Sequence, residues 1–367
     1  MIAHLTSKHN SDDARIYRRT VCTLRKDLKV YYYCRDDKRI DDNSLNIKFE
    51  INPGRLNEYL LTFRMFWFAS RNRHVSIIHF HDPEFLLFTW LPRLFGKTLV
   101  YDIHENFHVK FQFGSWLNRR VGGVFFRMLE WISFKFIQGL VTVSESLGDK
   151  YSSHPLYRVT VRNVPLKSSL TFTESDDFCN PFRIYVSGNH SEQRSCSNIV
   201  RAIPRIIREI PEAHLLLVGR YTPKGYQEYL LSLANELCVS DKIFLEPMKD
   251  YSENLLLATQ SGVGLILYED NVNNRVGLPN RLFEYMAAGI PVVVENFAEL
   301  RSVVNKYECG VCVDSADPEM IARAILRILN DREQAKNMGS NGRIAVQETI
   351  NFEEESKQLV KLYNFLW

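Results

Sequence analysis

Two polar clusters in the first half of the chain each close an apolar run: His79-Phe80-His81-Asp82-Pro83-Glu84 and Tyr101-Asp102-Ile103-His104-Glu105. Imidazole beside carboxylate holds or moves a proton near neutral pH and orients polar substrates. A lone histidine is usually structural. Two clusters at the ends of neighbouring strands, however, lie where open parallel sheets bind ligands. In the second half the chemistry changes to anion binding. Gly188 permits a close backbone approach, with Asn189 beside it and Arg194 a few residues on. Pro279 and Asn280 open a helical segment whose first turn carries Arg281, a cation where the helix dipole disfavours one. An anion held by the N–H groups of Leu278 to Leu282 reconciles the two. Glu284 stands one turn into the same helix, where a solvated outer-face role is the plain alternative.

The elements that must carry these residues alternate between strand and helix, the pattern of parallel α/β sheets. Strands are expected at Ala3–Thr6, Val30–Cys34, Ile77–Phe80, Leu99–Ile103 and Leu140–Val143, with helices at Ile16–Leu28, Leu56–Ser70, Glu84–Leu94 and Asn118–Phe136. The alternation restarts with strands at Phe182–Val186, His214–Val218, Ile243–Leu245, Val263–Leu267, Val292–Val294 and Gly310–Val313. A helix is expected at Ser197–Glu209. The periodicity of Leu282, Phe283, Met286 and Ala287 predicts another, stopped by Gly289 and Pro291. From Pro318 to Trp367 the chain reads as helical, broken at Asn351–Phe352. The polar stretch 167–181 reads as a linker, giving domains over 1–166 and 182–350 and a last helix over 351–367.

Length and composition narrow the field. A chain of 367 residues suits two domains of ordinary size. No apolar run reaches the ~18–20 residues of a membrane span, and the start lacks the apolar core of an export signal, so a cytoplasmic location is the default. Seven scattered cysteines point to reduced thiols; Cys309 and Cys312 read as part of a buried strand rather than a zinc site. Net charge is +3, but residues 1–170 hold 26 Lys and Arg against 16 Asp and Glu, leaving 20 against 27 for the remainder. The basic excess is spread rather than blocked, which speaks against nucleic acid as a partner. Neither GxGxxG nor GxxxxGK[ST] occurs, so dinucleotide and P-loop readings lose their signal. Asp-x-Asp is also absent, leaving no obvious carboxylate pair for a nucleotide-bound divalent ion, and no metal or cofactor is expected.

The string GLPNRLFEYMAAGIPVVVENFAELRSVV closely resembles the donor-nucleotide segment of family-4 glycosyltransferases. HFHDPEF and VYDIHENF resemble that family's N-terminal motifs, and HLTS…DARIY resembles a bacterial subgroup. The implied fold is GT-B: two Rossmann-like, doubly wound parallel-sheet domains facing across a cleft, with the last helix crossing back to the first. By this resemblance Glu284 binds the donor ribose, while Gly188, Arg194 and the helix start at 278–282 hold the diphosphate. His104 lies near the donor sugar, with Asp102 and Glu105 as further candidates to orient it. His81 and Asp82 face the acceptor, and Asp13 and Arg15 belong to the same side. Asp13 reads equally as the N-cap of the helix that follows it. One departure stands out: the family's Glu-x7-Glu pair has Val276 in place of its first Glu. Glu269, Asp270, Asn273 or Asn274 are the candidates to replace it.

The resemblance implies transfer of a hexose or N-acetylhexosamine, with retention, from a UDP-linked donor to a glycan on a polyprenyl diphosphate, in assembly of a bacterial surface polysaccharide. Segments 55–74 and 116–136 mix arginines with large aromatics, and a peripheral contact with anionic membrane is expected there. On periodicity alone, aromatics facing a core and arginines facing water are the plainer alternative. The missing first Glu leaves a second class of function open, a non-catalytic sugar-nucleotide-binding subunit.

Overall fold

The computed structural model describes residues 1–38, 40–41, 43–50, 54–104, 122–167 and 180–367, with backbone alone at 14, 55, 272 and 273. Two units result: Met1–Asn163 with Phe352–Trp367, and Val164–Asn351. Most of the stretch expected as a linker lies outside the described residues, as does Glu105.

The first unit is a seven-stranded sheet, all parallel, in the order β3-β2-β1-β4-β5-β6-β7. Its strands are β1 (Ile2–Leu5), β2 (Val30–Arg35), β3 (Asn46–Phe49), β4 (Ile77–Phe80), β5 (Thr98–Ile103), β6 (Gly139–Thr142) and β7 (Tyr157–Thr160). The central strands are apolar on both faces because helices cover both, as a parallel sheet requires. Strand order reverses between β1 and β4, and the register sets His4 opposite His79 there. The C-terminal helix, Phe352–Leu366, packs on this sheet at Gly139, where an added Cβ would lie 2.8 Å from Leu366 and 3.0 Å from Leu362. Glu355 anchors the same helix by accepting from the Arg162 backbone N–H (2.9 Å) and Nε (2.7 Å).

Two local differences from expectation have physical causes. The expected helix at Ile16–Leu28 is a π-helical stretch, Ala14–Val21, followed by one short α-turn, Cys22–Leu24. The Asp13 carbonyl accepts from both Tyr17 and Arg18, and the Thr20 hydroxyl takes the Arg15 carbonyl, which widens the turn. The expected helix at Glu84–Leu94 divides into a 3₁₀ turn, Pro83–Phe88, and a short helix, Trp90–Leu94. Pro92 cannot donate to Phe88, so the ladder fails at that point. Of the helix expected at Asn118–Phe136, residues 118–121 lie outside the described residues, and the helix Gly123–Ser133 gives way to a turn over 134–136.

The second unit is a six-stranded parallel sheet in the order β10-β9-β8-β11-β12-β13. Its strands are β8 (Asn180–His190), β9 (His214–Tyr221), β10 (Ile243–Pro247), β11 (Ser261–Ile266), β12 (Val292–Glu295) and β13 (Gly310–Val313). The switch point falls between β8 and β11. Strand β8 runs past its expected end because Gly188 pairs with Gly219, where a Cβ would lie 1.6 Å from the Gly188 carbonyl oxygen. The Cys196–Glu209 helix buries Ile199, Val200, Ile203 and Ile206 in the core. The Asn280–Ala288 helix begins after Pro279 and ends at Gly289, whose left-handed φ of +74° is the usual glycine cap.

Candidate active site

In the second unit, Arg194 and Arg281 approach each other from different elements. Arg194 comes from the 3₁₀ turn Glu192–Arg194 that follows β8; Arg281 comes from the first turn of the Asn280–Ala288 helix. Arg194 donates to the Tyr268 hydroxyl at 2.6 Å and lies over its ring at 4.6 Å; Arg281 donates to the same hydroxyl at 3.2 Å. Arg281 also donates to the Ser187 carbonyl, beside Gly188. Gly188 has φ +109°, and a Cβ there would press on the Arg281 guanidinium at 3.4–3.5 Å, so glycine serves both the backbone and the arginine. Neither arginine has a carboxylate partner among the described residues. Burial works against the Arg281 charge, but the oxygens of Tyr268 and Tyr285 more than offset it and raise its pKa; burial lowers that of Arg194. Two half-buried guanidinium groups sharing one phenol hold positive charge that no carboxylate among the described residues matches, an arrangement suited to an anion.

Tyr268 and Glu295 are residues that sequence reasoning missed. The buried Glu295 carboxylate accepts from the backbone N–H groups of Tyr268 (3.3 Å) and Ser315 (3.2 Å), fixing the loop that carries the phenol. Tyr285 braces the end of β8, its hydroxyl accepting from Ser187 N at 2.8 Å. It fits because β11 has Gly264, where a Cβ would lie 2.4 Å from the Tyr285 ring. Glu284 is half-buried and borders a small crevice with Ser187, Tyr251, Asn254 and Tyr285. Leu278, Pro279 and Asn280 lie half-buried at the helix start. Leu282 points into the core, and its N–H is already given to the Pro279 carbonyl, which narrows the expected row of outward donors. Asn189 is exposed and accepts from Thr222. Of the candidates to replace the missing Glu, Asp270 is paired with Arg275 at 2.5 Å and Glu269 is exposed. The Asn274 side chain donates to the Glu269 carbonyl, and that of Asn273 lies outside the described residues.

In the first unit the parallel register gathers β1, β4 and β5 at one edge. The Asp102 carboxylate is engaged on both oxygens: Oδ1 accepts from Arg15 Nη2 at 2.9 Å, and Oδ2 faces His81 Nδ1 at 3.2 Å and His104 Nε2 at 3.3 Å. Burial opposes the Asp102 charge, yet Arg15 and His104 hold its pKa well below the usual carboxylate range. Burial pushes His81 down to about 3 and lowers His4 and His104 too, so these imidazoles are neutral at physiological pH. His104 keeps 14% of its side chain exposed and is the member of this trio nearest solvent.

His81 and Asp82, expected to face the acceptor, are only 2% exposed each. Asp82 Oδ2 accepts from Ser7 N (2.5 Å), Thr6 Oγ1 (3.0 Å) and Lys8 N (3.1 Å), which shapes the loop after β1. Asp13 is the N-cap, accepting from Arg15 N and Ile16 N at 2.9 Å, while its other oxygen faces His9 at 3.5 Å. Arg15 is thus drawn to Asp102 rather than left open. Among the described residues, two sets of side chains come close enough to raise the question of a metal: His4, His79 and His81, and His81, Asp102 and His104. In the first set, His79 and His81 stack with ring planes 17° apart, so their in-plane lone pairs do not converge. Hydrogen bonds account for the separations in the second.

Comparison with known proteins gives the class. Residues 16–165 match the family model Glycosyltransferase Family 4, and residues 174–345 match Glycosyl transferases group 1. The MMP alpha-(1->4)-mannosyltransferase of Mycolicibacterium hassiacum is 27% identical over 173 residues, 46% of this chain and 39% of that one. The capsular polysaccharide biosynthesis glycosyltransferase CapM of Staphylococcus aureus is 26% identical over 169 residues, 43% of this chain and 42% of that one. The matched stretches therefore span about two fifths of these relatives' lengths. Among solved structures, Anabaena Alr3699/HepE in complex with UDP aligns with a TM-score of 0.75 at 13% identity over 99% of both chains. The fold is GT-B, and each half of the chain resembles the corresponding half of a glycosyltransferase.

Proposed function

We propose that this protein transfers a hexose or N-acetylhexosamine from a UDP-linked donor, with retention, to a growing glycan on a polyprenyl diphosphate at the inner face of a bacterial plasma membrane. The observation that carries the donor half is the Arg194–Tyr268–Arg281 arrangement, two half-buried cations without a carboxylate partner among the described residues. A diphosphate supplies the missing charge, and the same guanidinium groups stabilise it as it leaves with the bonding electrons. On this reading charge neutralisation at the phosphates falls to arginine rather than to a metal. Glu284 takes the ribose hydroxyls, while Asp102 and His104 orient the sugar. HepE binding UDP and CapM serving capsular polysaccharide support the choice of donor and pathway.

Support for the membrane half comes from the Gly123–Ser133 helix. Phe126 lies in the core, but Phe125 is 53% and Trp131 58% exposed, with Val124, Met128 and Ile132 also outward. The plainer expectation, aromatics inward and arginines outward, thus fits only part of this helix. Lys135 sits 3.8 Å over the Trp131 ring, and the Arg55–Arg71 helix exposes Leu56, Leu60 and Phe68. Apolar rings beside cations suit an anionic headgroup layer. No helix among the described residues is long and apolar enough to cross a membrane. Calorimetric titration with UDP and with uridine tests the donor half: UDP should bind about tenfold or more tightly than uridine, and equal affinity would remove the diphosphate from the account.

A further inference from the structure

A carboxylate only accepts hydrogen bonds, and a neutral imidazole has one donor and one acceptor nitrogen. These two rules assign the protons in the core of the first unit. His81 Nδ1 lies 3.2 Å from Asp102 Oδ2, so it carries its proton there and Nε2 accepts. His4 Nδ1 lies 3.0 Å from His81 Nε2, so His4 is also protonated at Nδ1. Its Nε2 then accepts from the Tyr363 hydroxyl, 3.1 Å away. Having donated to His4, the phenolic oxygen accepts from His79 Nδ1 at 2.6 Å. His79 Nε2 is left at the end of the chain of bonds, buried without a hydrogen-bond partner among the described residues and 3.8 Å from Asp102 Oδ2. The opposite order would set an unprotonated His81 Nδ1 against a carboxylate at 3.2 Å while leaving the His79 donor at 3.8 Å, too far to bond. Only the first order fits.

We infer that Asp102 imposes this single proton order on His81, His4, Tyr363 and His79, and that Tyr363, from the C-terminal helix, is a positioning residue for the Asp102–His104 pair. Tyr363 joins His79 on β4 to His4 on β1, and without it the chain has no turn. The phenol is wholly buried, and the helix carrying it is held by Glu355 on Arg162. The last turns of the polypeptide thereby reach the carboxylate that orients His104. This role rests on the proposed glycosyl transfer; the proton order does not.

The test is nitrogen-15 NMR of the full-length protein labelled at histidine, read between pH 7 and 8. Histidine-to-glutamine variants assign the signals. Nδ1–H tautomers at His4, His79 and His81 are the expected result, and an Nε2–H tautomer at either His4 or His81 would overturn the order. In Tyr363→Phe, His79 loses its acceptor and its proton moves to Nε2, facing Asp102, whereas His81 is unchanged. A His79 spectrum unaltered in that variant contradicts the turn at Tyr363. In transfer assays the same variant should lower kcat about tenfold and leave the donor KM within twofold; an unchanged kcat contradicts the positioning role. Wild-type protein inactive with every donor sugar, yet showing the expected tautomers, sinks the proposed function and leaves the proton order standing.

Discussion

The Tyr268 hydroxyl accepts from Arg194 at 2.6 Å and from Arg281 at 3.2 Å, so one phenol joins two half-buried cations that come from opposite sides of the β8–β11 switch point. Changing either arginine to Ala should weaken nucleoside diphosphate binding by about tenfold to a hundredfold, the worth of a charge-assisted hydrogen bond. Binding of the bare nucleoside should hardly change. Tyr268→Phe should have a smaller effect in the same direction, because the arginines lose their spacer and keep their charge. Parallel titrations decide, and an equal loss for both ligands places the arginines away from the phosphates.

Glu284→Ala should lower kcat/KM for the donor by about tenfold to a hundredfold while the fold survives, since the side chain is half-buried and outside the core. Steady-state kinetics beside a thermal melt provide the check. Wild-type kinetics in a folded variant would reduce Glu284 to a surface residue.

The string around Glu284 was legible because its signals are local. Gly289 can take a left-handed cap, Pro291 cannot continue a helix, and three valines fill a strand covered on both faces. Strands β3 and β7 escaped notice for the converse reason: at the sheet edges they carry half-exposed residues and no apolar run. The π-helical turn after Asp13 depends on a shared carbonyl, which no periodicity reports. Tyr268, Glu295 and Tyr363 were invisible because their partners lie far along the chain. Tyr363 meets His4 across nearly the whole sequence. A tyrosine beside Glu269 and Asp270, just past a buried strand, was the one signal that pointed toward Tyr268.

Acidification should destabilise both units before any carboxylate titrates. Burial lowers His81 to about 3 and His190 to about 4, against roughly 6.5 in an unfolded chain. A group with a depressed folded pKa gives its full stability above the unfolded value and loses it as pH falls toward the folded one. Each therefore removes about 1.4 kcal/mol per pH unit below 6.5, and His4 and His104 act in the same direction. His9, raised chiefly by its bond to Asp13, contributes below 6.5 and opposes them. Melting temperatures at pH 7.5, 6 and 5 should fall steadily, and a flat or rising series would contradict neutral burial of these imidazoles.

Membrane contact should be reversible and salt-sensitive. Sedimentation with anionic vesicles is expected at low salt and should weaken as screening rises. Replacing Phe125 and Trp131 together with Ser should reduce binding about tenfold or more at low salt, because two exposed rings no longer insert. Wild-type protein left in the supernatant at low salt would favour a soluble acceptor.

On the proposed function the arginine pair serves sugar transfer from a nucleoside diphosphate donor. Nucleotide release measured over a panel of donor sugars, with lipid-linked glycan present and absent, tests it most directly. Acceptor-dependent release of UDP from one donor sugar is expected, reduced about a hundredfold or more in the double variant Arg194→Ala, Arg281→Ala. Undiminished release by that variant, or UDP binding by the wild type with no release from any donor, would contradict it.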